Sequence, residues 1–173
     1  GAVAWGGGSA GGTDHILIGL IAQTAGIEGS KINYVPFSGG GEALAAILGG
    51  HVTAGVSGYS EWAGQIQAGE LRALAISSPE RVPGIDIPTL KEQGVAVDLA
   101  NWRAVMAPPG IDDGQKQALL QTVDAMVKSE GWKKVLVDKN WLDLYLAGDD
   151  FAKFLTAENT RITDTLKQIG LVQ

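Results

Sequence analysis

Glycine and hydroxyl residues cluster at two places, residues 6–13 (GGGSAGGT) and residues 37–41 (FSGGG). Each cluster follows a strand-like segment and precedes an apolar helical pattern. Glycine lets a backbone approach a ligand closely, and the free N–H groups and dipole of a helix's first turn favour a bound anion. Hydroxyls of Ser9, Thr13 and Ser38 add donors. The two loops together predict an anion site, although any single glycine could serve only a tight turn.

The first loop also matches a nucleotide-binding pattern in part. Gly6, Gly8 and Gly11 have the GxGxxG spacing between a strand and a helix that is typical of dinucleotide sites. That pattern needs an acidic residue at the end of the second strand, and no acidic residue appears there before Glu42. A P-loop would need Lys where Thr13 stands. A nucleotide-binding oxidoreductase domain is therefore the alternative function, and a purely structural module is a third.

Catalytic residues are not indicated by the remaining polar side chains. His15 and His51 are the two histidines, and neither has an evident orienting carboxylate apart from Asp14 beside His15. A nucleophile elbow and a metal-ligand spacing are both missing from the sequence. The serines considered as nucleophiles are Ser9, Ser38, Ser57 and Ser60. We expect no catalytic residue, no metal and no cofactor.

Composition narrows the possible partners. The chain has 173 residues with 13 basic and 19 acidic side chains, a net charge of −6 and no cysteine. Nucleic acid is an unexpected partner because clustered Lys and Arg are absent. No window approaches the roughly 20 apolar residues of a membrane span. The first residues do not resemble a secretory signal, so either the protein is cytosolic or its targeting segment lies outside this chain.

The elements that must position the loops alternate between strand and helix. Short single-helix crossovers between strands imply parallel pairing. The predicted strands are residues 2–5, 32–35, 53–57 and 71–77, and the predicted helices are residues 15–26, 42–50 and 59–69, the first of them capped by Thr13 or Asp14. The first hundred residues thus predict an α/β, doubly wound lobe with a mainly parallel sheet. Trp5 and Trp62 are expected near its strand ends, and Trp102, Trp132 and Trp141 in packing.

From residue 78 the alternation stops. A Pro-rich loop leads to a short helix near residues 90–93, and residues 95–110 read as one long extended segment. Two helices over residues 112–139, a strand over residues 142–147 and a final amphipathic helix over residues 149–170 complete the pattern. The acidic pairs at residues 112–113 and 149–150 are expected to cap helices.

Three segments together resemble a known family. They are WGGGSAGGTDHILIGLIAQTAG, INYVPFSGGGEALAAILGGHVTAGVSG and QAGELRALAISSPERVPGIDIPTLKEQG, followed by NWRAVMAPPGI. This ordered set is similar to the solute-binding proteins of tripartite tricarboxylate transporters, the TctC or Bug family. The resemblance covers essentially the whole chain, and its closest match is to members named for tricarboxylates.

The resemblance implies a periplasmic-binding-protein-like fold of two lobes that close on a carboxylate and deliver it to membrane permease subunits. It implies a binding protein and not an enzyme, located in the periplasm, with a signal peptide and an N-terminal lobe expected upstream of this fragment. Residues 1–101 would be the second, ligand-binding lobe. Residues 102–173 would be a returning hinge strand, near residues 101–107, and C-terminal helices belonging largely to the missing first lobe.

The resemblance also assigns the ligand contacts. The family's loops match Gly7, Gly8, Ser9, Ala10, Gly11, Gly12 and Thr13, then Phe37, Ser38, Gly39 and Gly40, and a third loop at Ser57. Ser57 and Thr53 stand where the family commonly has Asp. Fewer acidic groups at the crevice would favour a more negative ligand. The expected ligand is therefore a citrate-like tricarboxylate.

Overall fold

The computed structural model describes residues 3–172. These residues form two compact units. The first comprises the described residues up to Asn101 together with those from Thr160 onward, and the second is Trp102–Asn159. The assignment of residues 1–101 to a second lobe and of residues 102–173 largely to a first lobe stays a prediction.

A parallel sheet of three short strands organises the first unit. The strands are β1 (Ala4–Gly7), β2 (Asn33–Pro36) and β3 (Ala54–Gly55), in the order β2-β1-β3. Trp5 of β1 lies opposite Tyr34 of β2. All pairs are parallel, so the three strands end at one edge of the sheet. The α/β fold with a parallel sheet is confirmed.

Helices follow each strand of this unit. They are α1 (Thr13–Thr24), α2 (Gly40–Leu48) and α3 (Tyr59–Gln67), with short 3-10 helices at Gly29–Lys31 and Lys91–Gln93. Ile16 and Leu17 of α1 form a buried cluster with Val97 and Leu99. Burying each such side chain contributes about 1.5–3 kcal/mol. The segment around residues 95–99 is therefore held as one wall of the core although it is not a strand.

A second apolar contact lies between α2, α3 and β3. Ala43 and Ala46 of α2 are buried, as is Trp62 of α3. A Cβ on Gly55 would overlap the Ile47 side chain and stand 2.8 Å from the Trp62 ring. Glycine at this position lets both helices approach the strand closely.

Three predicted strands of the first unit differ from the structure in existence or in length. Residues 71–77 are not a strand, because their one ladder contact among the described residues is an isolated parallel bridge between Ile76 and Thr89. The third strand is shorter than predicted and holds only Ala54 and Gly55. β1 continues to Gly7 beyond the predicted end, and Ala2 lies outside the described residues.

Residues 95–110 carry no regular strand either. Leu99 N–H donates to the Ser77 carbonyl at 2.9 Å, and the Ser77 hydroxyl donates to the Leu99 carbonyl at 2.8 Å. These bonds are single contacts and do not continue as a ladder. Residues 101–107 have no strand assignment, and the hinge role that the resemblance implies for them stays a prediction.

The second unit contains α4 (Asp113–Lys128), α5 (Glu130–Lys139) and the first part of α6 (Gly148–Gln168). Asp112 caps α4 as predicted, since its side chain accepts from Gln115 N–H at 2.8 Å.

Other predictions for the second unit have mixed outcomes. Trp102 packs edge-on against Phe151 and Phe154 as a packing residue. Trp141 is 47% exposed, so the expectation of a packing role is wrong for it. Residues 142–147 do not form the predicted strand, and parallel or antiparallel partners for them are absent from the described residues.

No helix within residues 3–172 is both long and apolar enough to cross a membrane.

Candidate functional site

Three loops leave the carboxyl edge of the sheet, one after each strand. Parallel strands place such loops side by side, and ligands of open α/β sheets bind in the crevice they form. The predicted site residues of the first loop are Gly7, Gly8, Ser9, Ala10, Gly11, Gly12 and Thr13; those of the second are Phe37, Ser38, Gly39 and Gly40; Ser57 is on the third. Sequence order and strand order therefore bring all the predicted site residues to one edge.

The first loop is held by hydrogen bonds from both sides. Gly8 N–H donates to the Asp14 carboxylate at 2.8 Å, and the Tyr34 hydroxyl donates to the Gly8 carbonyl at 2.7 Å. Gly11 N–H donates to Nδ1 of His15 at 3.2 Å, and Gly12 N–H to the Ser9 carbonyl. The amides of Gly8, Gly11 and Gly12 are therefore used within the protein and are not the free donors that the sequence predicts.

The His15 and Tyr34 rings stack in parallel. Their centroids lie 4.1 Å apart with an interplanar angle of 3°. Burial lowers the pKa of His15 and raises the pKa of Tyr34, and the nearby Asp14 charge adds to the shift on Tyr34. His15 is thus neutral near neutral pH, which matches its role as an acceptor. It supports the loop and has no base role in this geometry.

Asp14 does not cap α1 as expected. The N-cap position is Gly12, which makes no side-chain capping bond, and the Asp14 carboxylate turns back to Gly8. Burial raises the pKa of Asp14, the Gly8 hydrogen bond opposes that shift, and the Glu61 charge adds to it. A carboxylate and two aromatic rings therefore surround the base of the first loop.

The second loop packs directly on the first. Phe37 N–H donates to the Gly7 carbonyl at 2.8 Å, which continues the β1–β2 pairing into the loop. Ser38 N–H donates to the Glu42 carboxylate at 3.0 Å. Buried Trp62 donates from Nε1 to the Gly40 carbonyl at 2.9 Å. Trp62 thus fixes the point where this loop becomes α2.

The third loop carries an acidic group that its own sequence lacks. The Ser57 hydroxyl and Gly58 N–H both donate to the Glu61 carboxylate, the latter at 3.3 Å. A Cβ on Gly40 would stand 2.8 Å from that carboxylate, so Glu61 reaches the second loop as well. Glu61 therefore places a carboxylate at the third loop, although Ser57 stands where the resemblance implies that Asp is common.

A common arrangement links the three loops. In each, a carboxylate from the first turn of the following helix turns back onto a loop N–H: Asp14 to Gly8, Glu42 to Ser38 and Glu61 to Gly58. The sequence signal that could have revealed these contacts is an acidic residue three to six positions after the loop donor, as in a capping box. Sequence reasoning missed these carboxylates and Tyr34 as parts of the site.

The donors left for a ligand lie on the loops at this edge, and the Ser57 amide of the third loop also donates to no acceptor among the described residues. Among the described residues, the amides of Ser9, Ala10 and Gly39 donate to no protein acceptor, and the first-turn amides of α1 and α2 have none by helix geometry. Ser9 and Ser38 are exposed on the loops. The Thr13 hydroxyl donates to Asn101 at 3.3 Å. This arrangement can hold an anion through backbone N–H groups.

Metal chemistry is not supported by the part of the chain that the structure describes, since no group of three potential ligands forms there. His51 is exposed after the end of α2, as predicted for a surface turn residue. Ser60 lies exposed in the first turn of α3, outside the loop donors.

The family model described as the tripartite tricarboxylate transporter family receptor matches residues 1–171. The chain belongs to this family. The family consists of solute-binding receptors and not of enzymes, and the alternative of a nucleotide-binding oxidoreductase is not supported.

Similar curated proteins agree with this assignment. BugT of Bordetella pertussis is 29% identical over 144 residues, covering 82% of this chain and 44% of that protein. A Cupriavidus necator protein described as the UPF0065 protein in the gbd 5′ region is 24% identical over 162 residues. The match covers 93% of this chain and 48% of that protein. The chain spans about half the length of these relatives.

Solved structures share the fold. An R. palustris protein solved with adipate has a TM-score of 0.80 and 26% identity, and the match covers 98% of this chain and 56% of that one. A TctC solute-binding protein from Polaromonas, solved without ligand, has a TM-score of 0.78 and 24% identity. The match covers 96% of this chain and 57% of that one. The recognition of the TctC or Bug family from the sequence is confirmed.

Proposed function

We propose that this chain is the ligand-binding lobe of a periplasmic receptor that captures a carboxylate for the membrane permease subunits of a tripartite transporter. The observation that carries the proposal is the set of unpaired amides at Ser9, Ala10 and Gly39 on two adjacent loops. Family membership supports it. The proposal includes an N-terminal lobe and a signal peptide in the complete protein, and the roughly twofold greater length of the relatives supports a second lobe.

The carboxylate would lie against the first turns of α1 and α2. Its oxygens would accept from the loop amides and from the hydroxyls of Ser9 and Ser38, while both helix dipoles favour its negative charge. Hydrogen bonds to a charged group each contribute about 1.5–3 kcal/mol. Local donors can therefore bind an anion although the chain carries a net charge of −6.

The acidic groups around the loops bear on the class of carboxylate. Asp14, Glu42 and Glu61 each place a carboxylate on a loop donor, and like charges close together are costly. They weaken the reason for favouring citrate, which rested on Ser57 and Thr53. The R. palustris neighbour was solved with adipate. We therefore place a dicarboxylate with separated ends ahead of a citrate-like tricarboxylate.

Isothermal titration of the full-length protein tests this function. The ligands are adipate, succinate, citrate, isocitrate, tricarballylate and NAD. We expect a carboxylate to bind with micromolar affinity or better and NAD to give no heat. Ser9→Ala and Ser38→Ala should each weaken binding about tenfold, the effect of losing one hydrogen bond to a charge. Ser60→Ala is the control, because Ser60 lies outside the loop donors.

Two results would contradict the proposal. If no carboxylate gave measurable binding heat, carboxylate capture would be ruled out as the function, while family membership would stand. Unchanged affinity in both loop variants would show that the carboxylate binds elsewhere.

A further inference from the structure

We propose that Asp14, His15 and Tyr34 are positioning residues that hold the first loop in its anion-accepting shape, and that protonation of His15 releases this shape. The inference rests on the proposed function, since it concerns the same loop. These three residues are called the brace below. None of them was among the predicted ligand contacts.

The brace fixes the loop at both ends. Gly8 is held by its N–H on Asp14 and by its carbonyl on the Tyr34 hydroxyl, and Gly11 is held by its N–H on Nδ1 of His15. Only Ser9 and Ala10 lie between these fixed points, and their amides are the ones without a protein acceptor. Donors that are fixed in place before binding lose less conformational entropy when the ligand arrives. The brace therefore positions the loop amides that would bind the ligand, without contacting the ligand itself.

The brace requires glycine at positions 7 and 8, because its side chains pack closely against both. A Cβ on Gly7 would stand 2.5 Å from the Tyr34 hydroxyl oxygen and 2.9 Å from Cβ of Asp14. A Cβ on Gly8 would stand 3.2 Å from the Asp14 carboxylate. The absence of side chains at these two glycines thus makes room for the bonds to Gly8.

The bond from Gly11 depends on the protonation state of His15. Nδ1 can accept only when it carries no proton, so the hydrogen of the neutral ring must be on Nε2. The parallel stack on Tyr34 holds the ring plane, which keeps Nδ1 directed at Gly11. Once His15 gains a proton, two N–H donors face each other and this bond is lost.

The groups around His15 do not offer the imidazolium a free counter-charge. On its own helix, the Asp14 carboxylate is engaged with Gly8 N–H. From β2 the ring faces Tyr34, whose pKa is raised, so that the phenol stays neutral. On α3, the negative charge of Glu61 contributes to the raised pKa of Asp14. Burial lowers the pKa of His15, so the proton arrives below about pH 6.5, the ordinary value for histidine.

The end of the chain packs on the same loop with apolar groups. Leu171 and Leu166 approach the position that a Cβ on Gly11 would take, at 3.6 and 4.0 Å. Gly11 itself has a φ of 77°, which a side chain would disfavour. A loop released from His15 would therefore have to move against these leucines or open toward solvent.

The test uses full-length protein titrated with adipate at about pH 7.5 and about pH 5, since histidine titrates between them. His15→Asn is the matched variant, because an amide oxygen can accept from Gly11 N–H and does not titrate. At each pH the ionisation of adipate is the same for both proteins, so the difference between the proteins isolates His15. The wild type should lose about tenfold more affinity than His15→Asn on acidification, the effect of one hydrogen bond.

Three further variants separate positioning from general damage. His15→Leu should bind adipate about tenfold more weakly at both pH values, because it lacks the acceptor. Tyr34→Phe keeps the ring stack and should bind more weakly while retaining the pH response. His51→Asn is the control, since it changes the other histidine, which lies outside the loop.

A ligand-free measurement distinguishes the failure of this inference from failure of the proposed function. The NMR shift of the Gly11 amide should follow the titration of His15 in wild type and stay constant in His15→Asn. A Gly11 amide that ignores pH overturns the inference whether or not adipate binds. Equal pH responses of wild type and His15→Asn also overturn it. Absence of carboxylate binding would overturn the proposed function. The pH dependence of the Gly11 amide shift would then be the sole test of the brace.

Discussion

Gly7→Ala tests whether the packing beneath the first loop is as tight as the structure places it. The new methyl would stand 2.5 Å from the Tyr34 hydroxyl oxygen and 2.9 Å from Cβ of Asp14. Real Cβ contacts essentially never fall below 3.0 Å, so the hydroxyl must withdraw by about 0.5 Å. Because Tyr34 donates to the Gly8 carbonyl at 2.7 Å, this movement weakens or breaks that bond.

The expected cost combines two effects. Adding a methyl to a well-packed site costs about 1–3 kcal/mol. Loss of one hydrogen bond adds about 1 kcal/mol. Gly7→Ala should therefore lower the free energy of unfolding by about 2–4 kcal/mol. The measurement is urea denaturation of the full-length protein without ligand, followed by tryptophan fluorescence.

A double-variant cycle with Tyr34→Phe makes the reasoning specific. Tyr34→Phe alone should cost about 1 kcal/mol, and it removes the atom nearest the new methyl. The double variant should therefore be more stable than the sum of the single effects by about 1 kcal/mol. Gly64→Ala in α3 is the control, since nothing lies within 4 Å of its Cβ and alanine favours a helix by about 0.5–1 kcal/mol.

Refutation would take either of two forms. A Gly7→Ala protein as stable as wild type would mean that the loop has space for a methyl and that Tyr34 is not held against it. Additive single effects would mean that the hydroxyl is not the atom that the methyl meets.

Three more predictions concern stability, each measured by denaturation of the full-length protein. Gly55→Ala should lower the free energy of unfolding by about 1–3 kcal/mol, because its methyl would overlap Ile47; a neutral result would contradict that packing. Asp112→Ala should cost about 1 kcal/mol by removing the cap that accepts from Gln115, and Asp112→Asn should restore most of it. Stability should fall as pH drops below about 6.5, because burial lowers the pKa of His15 in the folded state and the unfolded chain takes the proton first; an unaltered pH profile in His15→Asn would refute this assignment.

Local signals in the sequence predicted where the Gly/Ser loops lie between strands and helices. The Gly/Ser loops follow β1 and β2 and precede α1 and α2 as expected, and Asp112 caps α4. These features depend on residues close in sequence, which glycine, capping and hydrophobic periodicity report directly.

The two predicted strands that do not form show the limit of prediction from local sequence. Residues 71–77 and 142–147 have strand-like composition, yet a strand exists only where a neighbour supplies a ladder of hydrogen bonds. Ile76 finds a single bridge to Thr89 and its neighbours find none among the described residues. Strand propensity therefore identified extended segments, of which residues 71–77 are half-buried and residues 142–147 mostly exposed, but it could not identify a pairing partner for either.

The sequence by itself determined that this is an α/β chain of the TctC family with two glycine-rich loops, each of which leads into a helix. Only the tertiary structure decided which loop amides remain free. Tyr34 comes from the next strand to hold Gly8, and Glu61 comes from α3 to reach the second loop. The physical reason is that hydrogen bonds to a loop backbone depend on distance and direction in space, and side chains far apart in the sequence supply them.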